Sequence, residues 1–315
     1  MKKFFIPLAH LIVAGLLCQC TTDAPPLPGS VHLRNPEANK LLNKAKKEAQ
    51  KGDWKDAIDY YEEIVEDYPL SLEAPRARYN MGELYEKNGR YADAFKQYQE
   101  LIDRHPDSPL YTKTLERQKN MAFSAANGTL TTEVVWLFEV PISPTYVTEW
   151  LTKVKENAPY APSAAQAMNV LGNYHSNQDK IDEAIKAYQT IVDDYQTSPL
   201  AAPAQLKIAK LYHQASEKGD RNPINITRAQ EAYEDYLQRY PNSSKVASIR
   251  NNLADIDRLI VEQQLDIAEY YLLKMKDIPA ATFCYQEVAS KAKIHPKAAA
   301  KAKARLKELK STAKQ

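Results

Sequence analysis

From Pro36 onward, apolar side chains recur three and four positions apart, in segments that end at proline, glycine or a polar turn. That period sets one stripe of each segment against a neighbour and predicts helices. In "GDWKDAIDYYEEIVEDYP" (52–69), "GRYADAFKQYQELIDRHP" (89–106) and "DKIDEAIKAYQTIVDDYQ" (179–196) the pattern aligns without gaps. Each copy has an alanine (Ala57, Ala94, Ala184), a tyrosine four later (Tyr61, Tyr98, Tyr188) and an aliphatic three after that (Ile64, Leu101, Ile191). Those offsets share one helix face. The alanine lets a second helix approach, the tyrosine fills the space beside it, and Pro69 and Pro106 end the helix, with Gln196 in that place in the third copy. "ITRAQEAYEDYLQRYP" adds a fourth copy with Ala229, Tyr233, Tyr236 and Pro241, and "IPAATFCYQEVASK" a weaker fifth with Ala281, Tyr285 and Val288.

A first helix precedes each copy, most plainly in "RYNMGELYEKNG" (78–89) and "AMNVLGNYHSNQ" (167–178). Gly82 and Gly172 lie twelve residues before Ala94 and Ala184. Glycine costs a helix about 1 kcal/mol against alanine, so its recurrence at a matching point argues for a tight helix crossing. This grammar resembles the tetratricopeptide repeat, in which glycine and tyrosine (Gly82, Tyr85) mark the first helix and alanine, aromatic and proline the second. The resemblance covers about 37–300. It implies an all-α fold: a right-handed tetratricopeptide-repeat solenoid of about five helical hairpins with a C-terminal capping helix. The steps of 37, 45 and 52 residues between Ala57 and Ala94, Ala184 and Ala229, and Ala229 and Ala281 exceed the usual repeat of about 34. A loop at 215–227 accounts for the second, and 244–275, read as one long helix or two collinear ones, for the third. The segment 107–160 is degraded. Within it, 128–145 is an irregular insert whose "TTEVVWLFEV" reads as an extended or hairpin segment, or as a surface for a partner.

The first residues follow a different rule. Lys2 and Lys3 precede an apolar run, Phe4–Leu17, which is shorter than the roughly 20 residues of a spanning helix and reads as an export signal. Two of the chain's three cysteines follow, in "LLCQC". One intervening residue is too few for a metal pair, and no His or Cys nearby completes a site. The segment resembles a bacterial lipoprotein signal with Leu17 at −3 and Cys20 as the lipidated residue. Gln19 departs from the usual small residue at −1, and the alternative is ordinary cleavage nearby. The expected organisation is a signal peptide at 1–19, a proline-rich tether at 20–36, the repeat domain at 37–310 and a disordered tail at 311–315. Cys284 has no partner left and reads as a buried, inert thiol.

Eight glycines in 315 residues fit helices joined by short turns better than a sheet protein. The formal charge is +2, yet Lys293–Gln315 holds eight Lys or Arg against Glu308 alone, a net +7. That basic end predicts a solvated capping helix, with docking to an acidic partner or to headgroups as the alternative. It does not amount to a nucleic-acid groove. No nucleophile elbow, phosphate-cradling loop, dinucleotide glycine run or zinc-binding helix motif is present, so the reading is non-enzymatic, with no catalytic residue, metal or cofactor.

The combination of lipobox, tether, long-period repeats, "YPNSSKVASIRNNLADIDRLIVEQQLDIAEYYL" and a basic final helix is more specific. It resembles the BamD-type lipoproteins of the outer-membrane β-barrel assembly machinery, through the turn Tyr240–Ser243 and the helix end Ile267–Tyr271. The resemblance implies a lipid-anchored protein on the periplasmic face of the outer membrane. Its partners would be the barrel-inserting subunit, other assembly-machinery lipoproteins and unfolded outer-membrane proteins. The alternative is an adaptor for another envelope machine, pilotin-like for a secretin or accessory to cell-wall or cell-division enzymes. Candidate partner-binding residues are Tyr79, Glu83, Asn169 and Asn173, on the face that first helices leave open, together with Trp136 and Phe138 in the insert.

Overall fold

A computed structural model describes residues 33–135, 138–217 and 223–312. Among these residues thirteen α-helices form an all-α solenoid. They pair as α1 (Pro36–Lys51) with α2 (Trp54–Asp67), α3 (Ala74–Lys87) with α4 (Tyr91–Arg104), and α5 (Tyr111–Ala126) with α6 (Pro144–Asn157). The series continues with α7 (Pro162–Ser176) and α8 (Ile181–Asp194), α9 (Ala201–Glu217) and α10 (Pro223–Arg239), and α11 (Val246–Tyr270) and α12 (Ile278–Ser290). Helix α13 (Pro296–Thr312) covers the last pair. Each pair also packs on the next, as expected of a structure that cannot bury one hairpin's apolar face alone.

Local chemistry sets the helix ends. Asn35 caps α1, its Oδ1 accepting from the amides of Glu37 at 2.9 Å and Ala38 at 3.1 Å, and Pro36 takes the first helical position. Gly52 closes α1 at φ +94°, a left-handed conformation that a side chain would strain. The turns between pairs repeat one device. Ser71, Ser108, Ser198 and Ser243 each lie ten residues after a repeat residue (Tyr61, Tyr98, Tyr188, Tyr233). Each serine donates its amide to the carbonyl three residues back and accepts, through its hydroxyl, from an amide two or three residues ahead. Helix α8 therefore stops at Asp194 although Gln196 stands where its sister copies have proline.

The repeat stripe forms the core. Ala57, Ala94, Ala184, Ala229 and Ala281 are all fully buried, and Tyr61, Tyr98, Tyr188, Tyr233 and Tyr285 are buried beside them. A Cβ added to Gly82 would sit 2.6 Å from Cζ of Tyr98, and one added to Gly172 would sit 2.5 Å from Cε1 of Tyr188. The glycines are there because the rings need that space. Two apolar clusters result. The first runs from α1 to Ile256, and the second joins Val261, Leu265 and Ala268 to α12 and α13. Helix α11 belongs to both, and is one continuous helix that runs on into a π turn, Tyr271–Met275.

Several boundaries differ from the sequence reading. The solenoid has six helical pairs, one more than the five copies recognised, because the degraded stretch forms α5 and α6. A two-stranded antiparallel hairpin separates them: β1 (Thr131–Val135) and β2 (Phe138–Pro141), with Thr131 opposite Pro141. Among the described residues the fold takes in 33–36, which the expected domain start at 37 assigns to the tether: Leu33 exchanges backbone hydrogen bonds with the 70–72 turn, Asn35 caps α1 and Pro36 is its first residue. At the far end α13 takes in Ser311 and Thr312, two residues of the expected disordered tail. Cys284 is half-buried at the edge of the second cluster rather than fully enclosed. The signal, Cys20 and the tether as far as residue 32 lie outside the described residues.

Candidate functional site

First helices α1, α3, α5, α7, α9 and α11 form one row, and the repeat tyrosines of the second helices reach it from behind. The reach is regular. Nineteen residues after Tyr61, Tyr98, Tyr188 and Tyr233 stand Asn80, Arg117, Lys207 and Asn252, each on the next pair's first helix. Asn80 Nδ2 donates to the Tyr61 hydroxyl at 3.1 Å, Arg117 Nε to that of Tyr98 at 3.3 Å and Asn252 Nδ2 to that of Tyr233 at 3.2 Å. At the fourth position Lys207 Nζ lies 4.8 Å from the centre of the Tyr188 ring, and the Tyr188 hydroxyl donates to Asn173 Oδ1 at 2.7 Å. Burial pushes these phenols up, to about 12 for Tyr188 and Tyr233, so they stay neutral and serve as hydrogen-bonding posts.

The row changes character along its length. In the first half Arg117 lies 3.4 Å from Glu83 and 3.2 Å from Glu86, a compensated group. Arg78 bonds Gln97 at 3.2 Å and approaches Glu100 at 3.7 Å. Between α4, α5 and α6 three amides close on one another: Gln118 Nε2 donates to Gln99 Oε1 at 2.9 Å, and Asn157 Nδ2 to Gln118 Oε1 at 2.7 Å. Gln118 is 1% exposed, so this network is a satisfied polar core where the repeat signature fails. In the second half Lys207 Nζ donates to Asn169 Oδ1 at 2.9 Å and to Asn173 Oδ1 at 2.7 Å.

The structure brings Asn169 and Asn173 together on one lysine. Glu83 stands apart from them, half-exposed beside Arg117. Tyr79 is 3% exposed, which corrects its placement on the open face. Its ring packs against that of Tyr98 at 5.8 Å and lies under Lys113 Nζ at 4.6 Å, because a phenol at that point of the helix is large enough to reach the core. Phe138 lies on β2 opposite Val135, and Trp136 lies outside the described residues. Sequence reasoning missed Asn80, Arg117, Lys207 and Asn252. Their fixed offset from the tyrosines was the available signal. A separate cleft of about 890 Å³ at the edge of α1, α3 and α5 is lined by Arg34, Asn39, Glu73, Arg76 and Asp107.

Models of the tetratricopeptide repeat match residues 42–109, 164–197 and 204–243. The chain thus carries tetratricopeptide repeats, which are protein-interaction modules. No curated protein matches it. Among solved structures it is similar to PilW, a type IV pilus biogenesis factor, at 16% identity over 81% of this chain and 94% of that one, with a TM-score of 0.29. The Pseudomonas aeruginosa pilF structure matches at 12% identity over 85% and 97%, with a TM-score of 0.27. A Rap protein complexed with Competence and Sporulation Factor matches at 16% over 88% and 75%, with a TM-score of 0.30.

Proposed function

We propose that this tetratricopeptide-repeat solenoid is a non-enzymatic scaffold lipoprotein of the outer-membrane β-barrel assembly machinery. It is held by an acylated Cys20 in the inner leaflet of the outer membrane and faces the periplasm. It binds the barrel-inserting subunit, other lipoproteins of the machinery and unfolded outer-membrane proteins. The observation that carries the scaffold reading is a set of polar side chains on the first helices, Asn80, Arg117 and Asn252, held in place by buried tyrosines and so presenting a pre-arranged surface to an extended or helical segment. The finer reading is supported by the lipobox and by the match of Tyr240–Ser243 and Ile267–Tyr271 to the assembly lipoproteins. Twelve residues lie between Cys20 and Leu33, a tether of at most about 45 Å when extended, which keeps the solenoid beside the membrane that holds its anchor.

Affinity purification from detergent-solubilised outer membranes tests the assignment. The barrel-inserting subunit should be the main co-purifying protein, and depletion should lower outer-membrane barrels broadly. A secretin or a cell-wall hydrolase as main partner, with barrel abundance unchanged, refutes the assembly role. Cys20→Ser should move the protein to the soluble periplasmic fraction, and continued sedimentation with membranes refutes the anchor.

A further inference from the structure

Helix α11 outruns the helix it packs on. Asn252 Nδ2 donates to the Tyr233 hydroxyl at 3.2 Å and Gln230 Nε2 to Asp257 Oδ1 at 3.3 Å. The two helices therefore run antiparallel, and each step back along α10 matches one forward along α11. That register brings Pro223, the first residue of α10, to about Gln263. Up to there α11 carries a seam at alternating steps of four and three: Ile249, Leu253, Ile256 and Ile260, all within the first apolar cluster. Such steps keep one stripe of a helix against one neighbour. The seam does not stop where α10 does. Its next steps give Gln263, Ile267 and Tyr270, and the last two are 44% and 55% exposed. Leu273, Met275 and Ile278, in and after the π turn, are exposed as well.

Single exposed apolar side chains are ordinary on a protein surface, but a packed seam that runs on into solvent is not. The opposite face of the same turns is already occupied, because Val261, Leu265 and Ala268 are buried with α12 and α13. A helix that is apolar on both faces needs a neighbour on both. The seam also has a polarity. Asp266 stands exposed at its start, and Lys274 and Lys276 stand exposed at its end.

We propose that the open end of this seam, from Ile267 onward, is the docking site of an amphipathic helix from a partner protein. The occupant is a helix because the seam is continuous with the α10–α11 interface and keeps its spacing. It lies in line with α10, antiparallel to α11, with acidic residues in its first turn beside Lys274 and Lys276 and a basic residue in its last turn beside Asp266. Those charges also suit the dipole of the incoming helix. The proposal goes beyond the scaffold reading and does not depend on which envelope machine the partner belongs to.

The test uses purified full-length protein in lipid nanodiscs, free of detergent that would cover the seam, and fluorescein-labelled peptides of about 18 residues, long enough for a helix, followed by anisotropy. One peptide has leucines at steps of four and three, glutamates in its first turn and lysines in its last. A second scrambles that composition, and a third exchanges the glutamates and lysines. The first should bind at least about tenfold more tightly than the scramble. Ile267→Asp and, separately, Tyr270→Ser should each remove that preference with the circular dichroism unchanged, since both side chains are about half in solvent. Tyr160→Ser, at a fully exposed tyrosine outside the seam, should leave it intact. Lys274→Glu combined with Lys276→Glu should weaken the first peptide and strengthen the third. Equal binding of the first peptide and the scramble, or a preference that survives both seam variants, overturns the site. Self-association of the chain that Ile267→Asp abolishes, with no peptide preference, overturns the partner helix in favour of a second copy. Failure here leaves the pull-down result standing, and failure of the pull-down leaves this measurement standing.

Discussion

Gly82→Ala tests the packing on which the solenoid depends, because two opposing terms can be weighed there. Alanine is the better helix former by about 1 kcal/mol, so an exposed site would gain from the change. At Gly82 the new Cβ would stand 2.6 Å from Cζ and 2.8 Å from Cδ1 of Tyr98, about 1 Å inside the ordinary carbon–carbon contact distance. The ring cannot swing aside easily. It is fully buried, packs on Tyr79 and bonds Arg117 through its hydroxyl. Overpacking of this kind costs about 1–3 kcal/mol, and loss of the Arg117 bond about 1 more, so the net loss is about 1–3 kcal/mol after the helix gain. In a solenoid that loss is local, carried by one pair and its neighbours. Amide hydrogen exchange should therefore speed up about 5- to 160-fold across α3, α4 and α5, and little in α9 to α13. In a Tyr98→Leu background the same substitution should become neutral or stabilising. Unchanged or slower exchange for Gly82→Ala in the otherwise native chain would refute the packing argument.

Other consequences can be measured separately. Tyr233→Phe leaves the ring in place and strips the post from Asn252, so it should cost about 0.5–1.5 kcal/mol by urea denaturation. Gln118→Leu removes two side-chain hydrogen bonds from the amide network, while Gln99 and Asn157 keep the bonds between them, and should cost about 1–3 kcal/mol, more than the same change at exposed Gln178. His175 is buried with its Nδ1 unpaired, and burial holds its imidazole below the ordinary value. Below about pH 6.5 the unfolded chain takes up a proton that the folded chain resists. This residue's contribution is therefore whole above that pH and is lost as pH falls through it. His175→Leu should flatten the slope of stability against pH between about 6.5 and 5, and an identical slope would refute this source.

The parts of the fold that were legible in the sequence are those in which packing uses the repeat's own vocabulary. Ala57, Tyr61 and Ile64 and their counterparts are buried as their spacing requires, and the stretch after Ser243 does form one long helix. The α5–α6 pair was not legible because it reaches the same close packing with other residues. Leu151 stands where a repeat tyrosine would, four after Val147 and three before Val154, Trp150 beside it stacks on Phe95 at 4.7 Å, nearly parallel, and three amides bond one another between α4, α5 and α6. No single-sequence signature marks that substitution, and the hairpin between the helices hides the pair further. At the candidate site Asn169 and Asn173 followed from helix geometry, one turn apart on one face. Lys207 did not, because it comes from the next pair's first helix, and only the offset from Tyr188 links the two. Tyr79 shows the limit of that geometry: its spacing put it on the open face, but the side chain is buried against Tyr98.

The repeat tyrosines couple two properties that could have been separate. Each ring packs within its own pair, in two cases over a glycine left open for it, while its hydroxyl or ring face meets the next pair's first helix. A phenol both donates and accepts, and its face attracts cations, so the residue opposite can be asparagine, arginine or lysine without disturbing the core. The four positions hold Asn80, Arg117, Lys207 and Asn252. Charge on the row can therefore vary from repeat to repeat while the stack stays the same, which is what a scaffold needs if one architecture is to serve different partners. Asn80→Lys tests this directly. The ammonium has the Tyr61 ring and hydroxyl to meet and lies three positions from Glu83, so the fold should hold to within about 1 kcal/mol. Circular dichroism and urea denaturation should then match the wild type. A loss of several kcal/mol would show that the tyrosine posts specify their partners rather than tolerate them.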